Sequence, residues 1–208
     1  MFFTPGTHKE NGLPHNPFKA IVAPRPIGWI STISTDGKPN VAPYSFFNAM
    51  SETPPIVGYS AGPSASGSAN GEKDSLVNAR ETGEFVVNIV SKQQIQAMSN
   101  TSADLSHGVS EFDFAGLQAA PASLVKAPMV ADAPCQLECK LLDIIALPEA
   151  PDGTRNHWVM GEVIGIHIAD HVIVDGKVDV LKYNPAARLG YMDYATIEEV
   201  YAVQRPTL

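Results

Sequence analysis

Cysteine is almost missing from this chain: Cys135 and Cys139 are the only two among 208 residues. They stand in "PCQLECKLLDII", where strand spacing puts both on one face with Leu137 between them and Gln136, Glu138 and Lys140 on the other. Same-face neighbours point in parallel, so a bridge between them is geometrically poor. Without a histidine pair at ligand spacing they are also a weak zinc signal. Inert, buried thiols are the reading that remains. Positive charge is short as well: 14 lysines and arginines face 22 acidic residues, a formal net charge of -8. That balance argues against a nucleic-acid or anionic-membrane surface, and any phosphate recognised must be held by a local site. Long apolar runs are lacking. The opening "MFFTPGTHKENGLP" has no signal-peptide core and nothing later approaches a membrane span, so the expected location is the cytoplasm.

Several catalytic signatures are missing too. "GSANGEKDS" is rich in small residues but lacks the spacing of glycines, lysine and hydroxyl that a Walker loop requires. No dinucleotide fingerprint follows a strand, so any nicotinamide is not bound by a Rossmann unit. No G-x-S-x-G elbow appears, and no serine or cysteine is paired with histidine in a hydrolase pattern. His8, His15, His107 and His171 fall in loops or turns and form no cluster, and His167 in "GIHIAD" reads as a structural or surface histidine.

Strands are what the chain does have. "IGWISTIS" at Ile27 to Ser34 is rich in β-branched residues, and "TDGKPN" at Thr35 to Asn40 supplies the turn of a hairpin. "AGPSASGSANGE" reads as a loop. In "KDSLVNARETGEFVVNIV", Asp74 or Ser75 caps a short helix that Gly83 ends before a strand over Phe85 to Val90. A second helix is expected from Ser91, and "SHGVSEFDFAGLQAAPASLVKAP" reads as a covering segment. Long strands follow: the cysteine strand, "HWVMGEVIGIHI" at His157 to Ile168, and "HVIVDGKVDVL" with its "DG" turn. There is no repeat, no domain boundary and no steady alternation of strand and long helix. The expectation is a mainly β fold with short helices: one antiparallel barrel domain over 1-208, with 1-20 and 200-208 as peripheral arms.

One strand is irregular. "NVAPYSFFNAMSETPP" places Pro43, Ser45 and Asn48 among aromatics, and proline confines a strand to a sheet edge or a bulge. Some of this backbone therefore lacks a neighbouring strand and needs water, a side chain or a ligand. An ordinary edge strand satisfies the pattern. So does a strand that reads the donor and acceptor edge of a flat ring such as isoalloxazine, with help from Ser45 and Asn48. Lys73, Asp74 and Ser75, where a loop enters a helix, could converge on an anion, or be no more than a helix cap.

"PRPIGWISTISTDGKPNVAPYSFFNAMSETPPIV", "KDSLVNARETGEFVVNIV", "GEVIGIHIAD" and "PAARLGYMDYA", in order from Arg25 to Tyr194, resemble the flavin reductase-like family of FMN-binding split barrels. That family includes reductase components of two-component monooxygenases and flavoredoxin-like proteins. The resemblance implies an antiparallel split barrel and a homodimer with FMN near the subunit interface. NADH or NADPH would be the electron donor, and a flavin-dependent monooxygenase or another acceptor the partner. The competing implication is a flavoredoxin-like electron carrier that never meets nicotinamide. By the same analogy Ser31 and Thr32, together with Lys73 and Ser75, would surround the phosphate, with Asp74 also among the cofactor-binding residues. The backbone from Ser45 through Phe46 and Phe47 to Asn48 would meet the ring, with Arg25 and Arg188 also binding the cofactor. His157 would lie near the nicotinamide. One departure stands out: where many relatives carry a second glycine after "RLG", this chain has Tyr191, which would alter access to the ring.

Overall fold

A computed structural model describes residues 1–64 and 71–206. The chain enters through a short helix, α1 (Phe18–Ile21), and a short strand, β1 (Arg25–Pro26). The predicted hairpin follows as β2 (Gly28–Ile33) and β3 (Pro39–Tyr44), closed by a turn in which Ser34 N–H donates to the Lys38 carbonyl at 2.9 Å. β4 (Phe47–Glu52) and β5 (Pro55–Ala61) form a second hairpin. Residues 65–70 of the small-residue loop expected next lie outside the described residues. Helix α2 (Asp74–Thr82) starts at Lys73 and ends at Gly83, whose left-handed φ of 72° suits a residue with no Cβ. Strand β6 (Glu84–Ile89) leads through a Ser91–Gln94 capping box into α3 (Ile95–Asn100).

The covering segment carries α4 (Glu111–Ala115), β7 (Ala119–Ala120) and β8 (Met129–Val130). The long strands are β9 (Cys135–Ala146) and β10 (His157–Ile168). The "DG" turn joins β11 (Ile173–Val174) to β12 (Lys177–Val178), and α5 (Val180–Tyr183), β13 (Ala186–Arg188) and β14 (Tyr194–Thr196) finish the fold. No helix among the described residues is long and apolar enough to cross a membrane.

Seven strands pair antiparallel in the order β3-β2-β6-β9-β10-β5-β4. The sheet curls into a split barrel whose interior holds Ile30, Tyr59, Leu76, Phe85, Val87 and Val159. A second apolar cluster, with Trp29, Val41, Met98 and Phe112, lies on the outer side of β2 under α3 and α4. β2 is thus covered on both faces, and every residue from Gly28 to Thr32 is buried. β3 and β4 are the two ends of the order, so Pro43 stands on an edge strand, as a residue that cannot donate to a ladder should. A separate sheet, β1-β13-β14, brings Arg25 opposite Arg188 across 163 positions of chain.

The covering segment is held by a carboxylate. Glu138 is fully buried: Oε1 accepts from the Ser123 amide at 2.9 Å and lies 2.5 Å from His167 Nε2, and Oε2 accepts from the Leu124 and Val125 amides at 2.6 and 3.0 Å. Burial alone would raise this carboxyl. The His167 bond and the backbone amides outweigh it and hold Glu138 below the ordinary carboxylate range.

Candidate functional site

The irregular strand breaks at Ser45 and Phe46, between the two edges of the barrel. The Phe46 carbonyl accepts from Ser60 N–H at 2.8 Å, which fixes the bend against β5, and Phe47 returns to the core. Phe46, Asn48 and Met50 stay exposed. Beside the break lies an apolar cleft of about 390 Å³ lined by Phe18, Arg25, Ser45, Phe46, Asn48 and Trp158 among others. It shares Arg25 and Ser45 with a cavity of about 240 Å³ that also holds Lys19, Arg188, Tyr191 and Tyr194. That cavity in turn shares Pro43 and Ser102 with a smaller one at the start of α2, where Tyr44, Lys73, Asp74, Ser75 and Glu111 meet. The three make one groove along the open end of β3.

Arg25 stands where two of these cavities join. Its side chain is buried, donates to the Lys19, Val22 and Leu189 carbonyls, the last at 2.8 Å, and lies 5.8 Å from the Phe46 ring centroid. Its Nε has no partner. Burial, and then the like charge of Arg188, push this guanidinium below its ordinary value. Arg188 donates to the Tyr191 carbonyl at 2.6 Å and stacks 4.4 Å from the Tyr194 ring centroid.

At the other end, the Leu76 and Val77 amides both turn back to the Lys73 carbonyl, while no backbone acceptor inside α2 takes the amides of Asp74 and Ser75. Lys73 is paired with Asp104 at 3.6 Å, and Asp74 with His107 Nδ1 at 2.7 Å. Glu111, which accepts from Asn40 Nδ2 at 2.7 Å and Val41 N–H at 3.2 Å, is raised above the usual carboxylate range, chiefly by burial.

The structure thus groups Arg25, Ser45, Phe46, Asn48 and Arg188 at one end and Lys73, Asp74 and Ser75 at the other, with Phe47 behind the break. Ser31 and Thr32, expected beside the phosphate, line none of these three cavities. Both are fully buried and spend their hydroxyls inside the protein, because β2 is covered on both faces. Ser31 donates to the Pro128 carbonyl at 2.5 Å and accepts from Asn88 at 3.0 Å. Thr32 sits in a buried relay: Asn78 donates to Thr32, Thr32 to Asn40, and Asn40 to Glu111. The Ser75 hydroxyl is likewise committed, to Tyr44 Oη. His157 lies in a further cavity, with Gly62, Glu72 and Arg155, that shares no residue with the cleft at Ser45 but shares Ser64 with the cavity at the start of α2.

Thr32→Val is therefore expected to leave flavin affinity unchanged. It should cost about 1–3 kcal/mol of stability, since two buried amides each lose a partner. Chemical denaturation and a flavin titration on the same sample check both halves. Lys19 and Glu111 were missed from sequence. Lys19 reaches the groove only because α1 folds back beside β13. Glu111 carried no local signal in "SEFDFAG".

Residues 22–194 match the family described as flavin reductase like domain. The chain belongs to the flavin reductase like family. Its antiparallel split barrel is the fold of that family, whose members bind flavin. An uncharacterized protein of Aquifex aeolicus is 37% identical over 171 residues, covering 82% of this chain and 83% of the relative. Another, of Halalkalibacterium halodurans, is 34% identical over 187 residues, covering 90% and 88%. Among solved structures, nitrilotriacetate monooxygenase component B from Bacillus cereus superposes with a TM-score of 0.86 at 29% identity, with 98% of each chain covered.

Proposed function

We propose that this member of the flavin reductase like family binds FMN along the groove and acts as an NAD(P)H-dependent oxidoreductase. Electrons would pass to a second acceptor or to a partner monooxygenase. The groove itself carries the reading: an edge strand broken at Ser45 and Phe46, flanked by a buried arginine with an unpartnered Nε and ending at the first turn of a helix. A flavin needs a polar edge read at one end and an anion held at the other, and these groups fit that demand. When bound, the flavin would supply the hydride and electron chemistry.

The chain's own residues position and exclude. The Ser45 to Asn48 backbone would offer the donors and acceptors that its pairing with β5 and the Phe46–Ser60 bond leave unused, and Phe18, Phe46 and Trp158 would keep water from one side of the cleft. Arg25 and Arg188 keep positive charge beside it, while Lys73 with the Asp74 and Ser75 amides forms the anion end. A homodimer is part of the proposal. Phe18, Ile21, Val22, Phe46 and Met50 are 59, 75, 47, 39 and 49% exposed in the single chain, an apolar surface suited to a second subunit.

Anaerobic rapid mixing of flavin-loaded protein with NADH and with NADPH tests the donor. Bleaching of the flavin band with at least one of them is expected. No bleaching with either, while dithionite bleaches the same sample, would leave an electron carrier of flavoredoxin type.

A further inference from the structure

The anion end of the groove carries more negative charge than positive. Asp74, Asp104 and Glu111 line its cavity of about 100 Å³, against Lys73 as the one cation among the described lining residues. Each cation nearby already has a carboxylate partner: Lys73 has Asp104 at 3.6 Å, His107 has Asp74 at 2.7 Å, and Lys38, in the turn before β3, has Asp36 at 3.3 Å. A phosphate in so small a space would meet Lys73 and Glu111 together.

Glu111 is the group whose charge can change. The residue is 8% exposed, and its bonds from Asn40 Nδ2 at 2.7 Å and Val41 N–H at 3.2 Å both end on Oε2. Neither donor is free to become an acceptor. Val41 N–H belongs to the backbone, and the Asn40 carbonyl oxygen already takes the Thr32 hydroxyl at 3.2 Å, while Thr32 in turn accepts from Asn78 at 3.1 Å. Oε2 is thereby fixed as an acceptor. A proton on this carboxyl must sit on Oε1, to which no other described residue donates. The surrounding elements supply Tyr44 from β3, its hydroxyl held by Ser75, Lys73 and Asp74 from the start of α2, and Asp104 from the loop after α3. α3 has no titratable side chain, and Asp113 on Glu111's own helix is exposed. Burial raises the Glu111 carboxyl, and the negative charge of Asp74 adds to it.

We propose that Glu111 is a proton-carrying ligand of the phosphate end: it takes up one proton from solvent as a phosphate monoester enters, which turns a repelling carboxylate into an Oε1–H donor to a phosphate oxygen. This rests on the reading that FMN lies along the groove with its phosphate at the start of α2, and it makes the affinity for FMN, but not for riboflavin, depend on pH. The sign follows from linkage. A group that holds its proton more tightly in the complex weakens binding as pH rises past its value in the free protein, because the proton must then be drawn from solvent.

Calorimetric titration of FMN and of riboflavin into flavin-free protein, in two buffers of different ionisation heat, counts the protons. Above about pH 7 a phosphate monoester, with a second pKa of about 6, is already a dianion, so uptake reports on the protein. FMN should take up a proton that riboflavin does not, and from pH 7 to pH 8 its affinity should fall by up to roughly tenfold while that of riboflavin stays flat. In Glu111→Gln the amide oxygen can replace Oε2 and the amide N–H stands as a permanent donor. That variant should lose the uptake, bind FMN at pH 8 roughly tenfold more tightly than the parent, and bind riboflavin unchanged. A parent that prefers FMN without extra proton uptake would overturn the proposal and leave the flavin reading standing, whether or not the variant folds. Undiminished uptake in Glu111→Gln, or weaker FMN binding by it at pH 8, would do the same. Equal affinity for the two flavins, or binding of neither, would refute the phosphate end itself and this inference with it.

Discussion

Glu138→Ala is expected to cost about 3 kcal/mol or more, because each buried donor left without an acceptor costs ~1–3 kcal/mol and three backbone amides lean on this one side chain. The loss should be local first. Lys126, Pro128 and Val130 are tied separately to Glu84, Ser31 and Asn88, so it is the amide hydrogens of Ser123 to Val125 that should exchange faster in the variant, at denaturant concentrations where the barrel persists. The pH dependence has a definite sign. The folded carboxyl of Glu138 is held below its unfolded value, so its contribution is fully present above the ordinary carboxylate pKa of about 4.3 and is lost as pH falls through the lower folded value. Glu138→Gln should flatten that part of the acid limb. An amide also presents N–H where the backbone presents N–H, so the variant should be less stable than the parent at neutral pH. Urea titrations from neutral pH to pH 3 measure both effects; an unchanged acid limb in Glu138→Gln would contradict this role.

Arg25→Met should be as damaging, and in a different place. The guanidinium ties the carbonyls of Lys19, Val22 and Leu189 into one knot. Hydrogen bonds to a charged donor are worth ~1.5–3 kcal/mol each, so losing all of them should cost about 3–5 kcal/mol after relaxation. Methionine fills the space but donates nothing. The N-terminal arm should become sensitive to protease, the turn from Leu189 to Asp193 should loosen, and FMN affinity should fall by at least roughly tenfold, since the cleft loses a wall and a charge. Arg25→Lys should recover part of the affinity and little of the stability, because an ammonium cannot span the same carbonyls. Limited proteolysis beside a flavin titration reads these consequences. An arm that stays protected in Arg25→Met would show that the knot is held by something else.

Much of the frame was legible because it depends on local chemistry. The turn between β2 and β3, the glycine that ends α2, the "DG" turn and the edge position of Pro43 each follow from what one or two residues permit. The site was legible only in part, for reasons that lie in the long-range packing. Ser31 and Thr32 look like donors for a phosphate in a strand read alone. They are interior because α2 covers one face of β2 and residues 128–130 the other. Glu138 was placed on the correct face of its strand, but nothing in "QLECK" tells that the face is roofed by a segment ten to fifteen positions earlier. The pairing of Arg25 with Arg188 needs β1 beside β13, a contact no local pattern encodes. Tyr191 was marked from sequence by its departure from a family glycine, and its left-handed backbone explains why glycine is the easier residue there.

The central claim, that a flavin lies along the groove with its phosphate at the start of α2, is tested most directly by fluorescence titration of FMN and riboflavin into flavin-free protein and into Lys73→Ala. The unmutated protein is expected to bind FMN more tightly than riboflavin. Losing the Lys73 contact, a charge-assisted bond of ~1.5–3 kcal/mol, should weaken FMN by roughly tenfold to a hundredfold and leave riboflavin unchanged. No binding of FMN, equal affinity for the two flavins in the unmutated protein, or equal losses for both in the variant would contradict it.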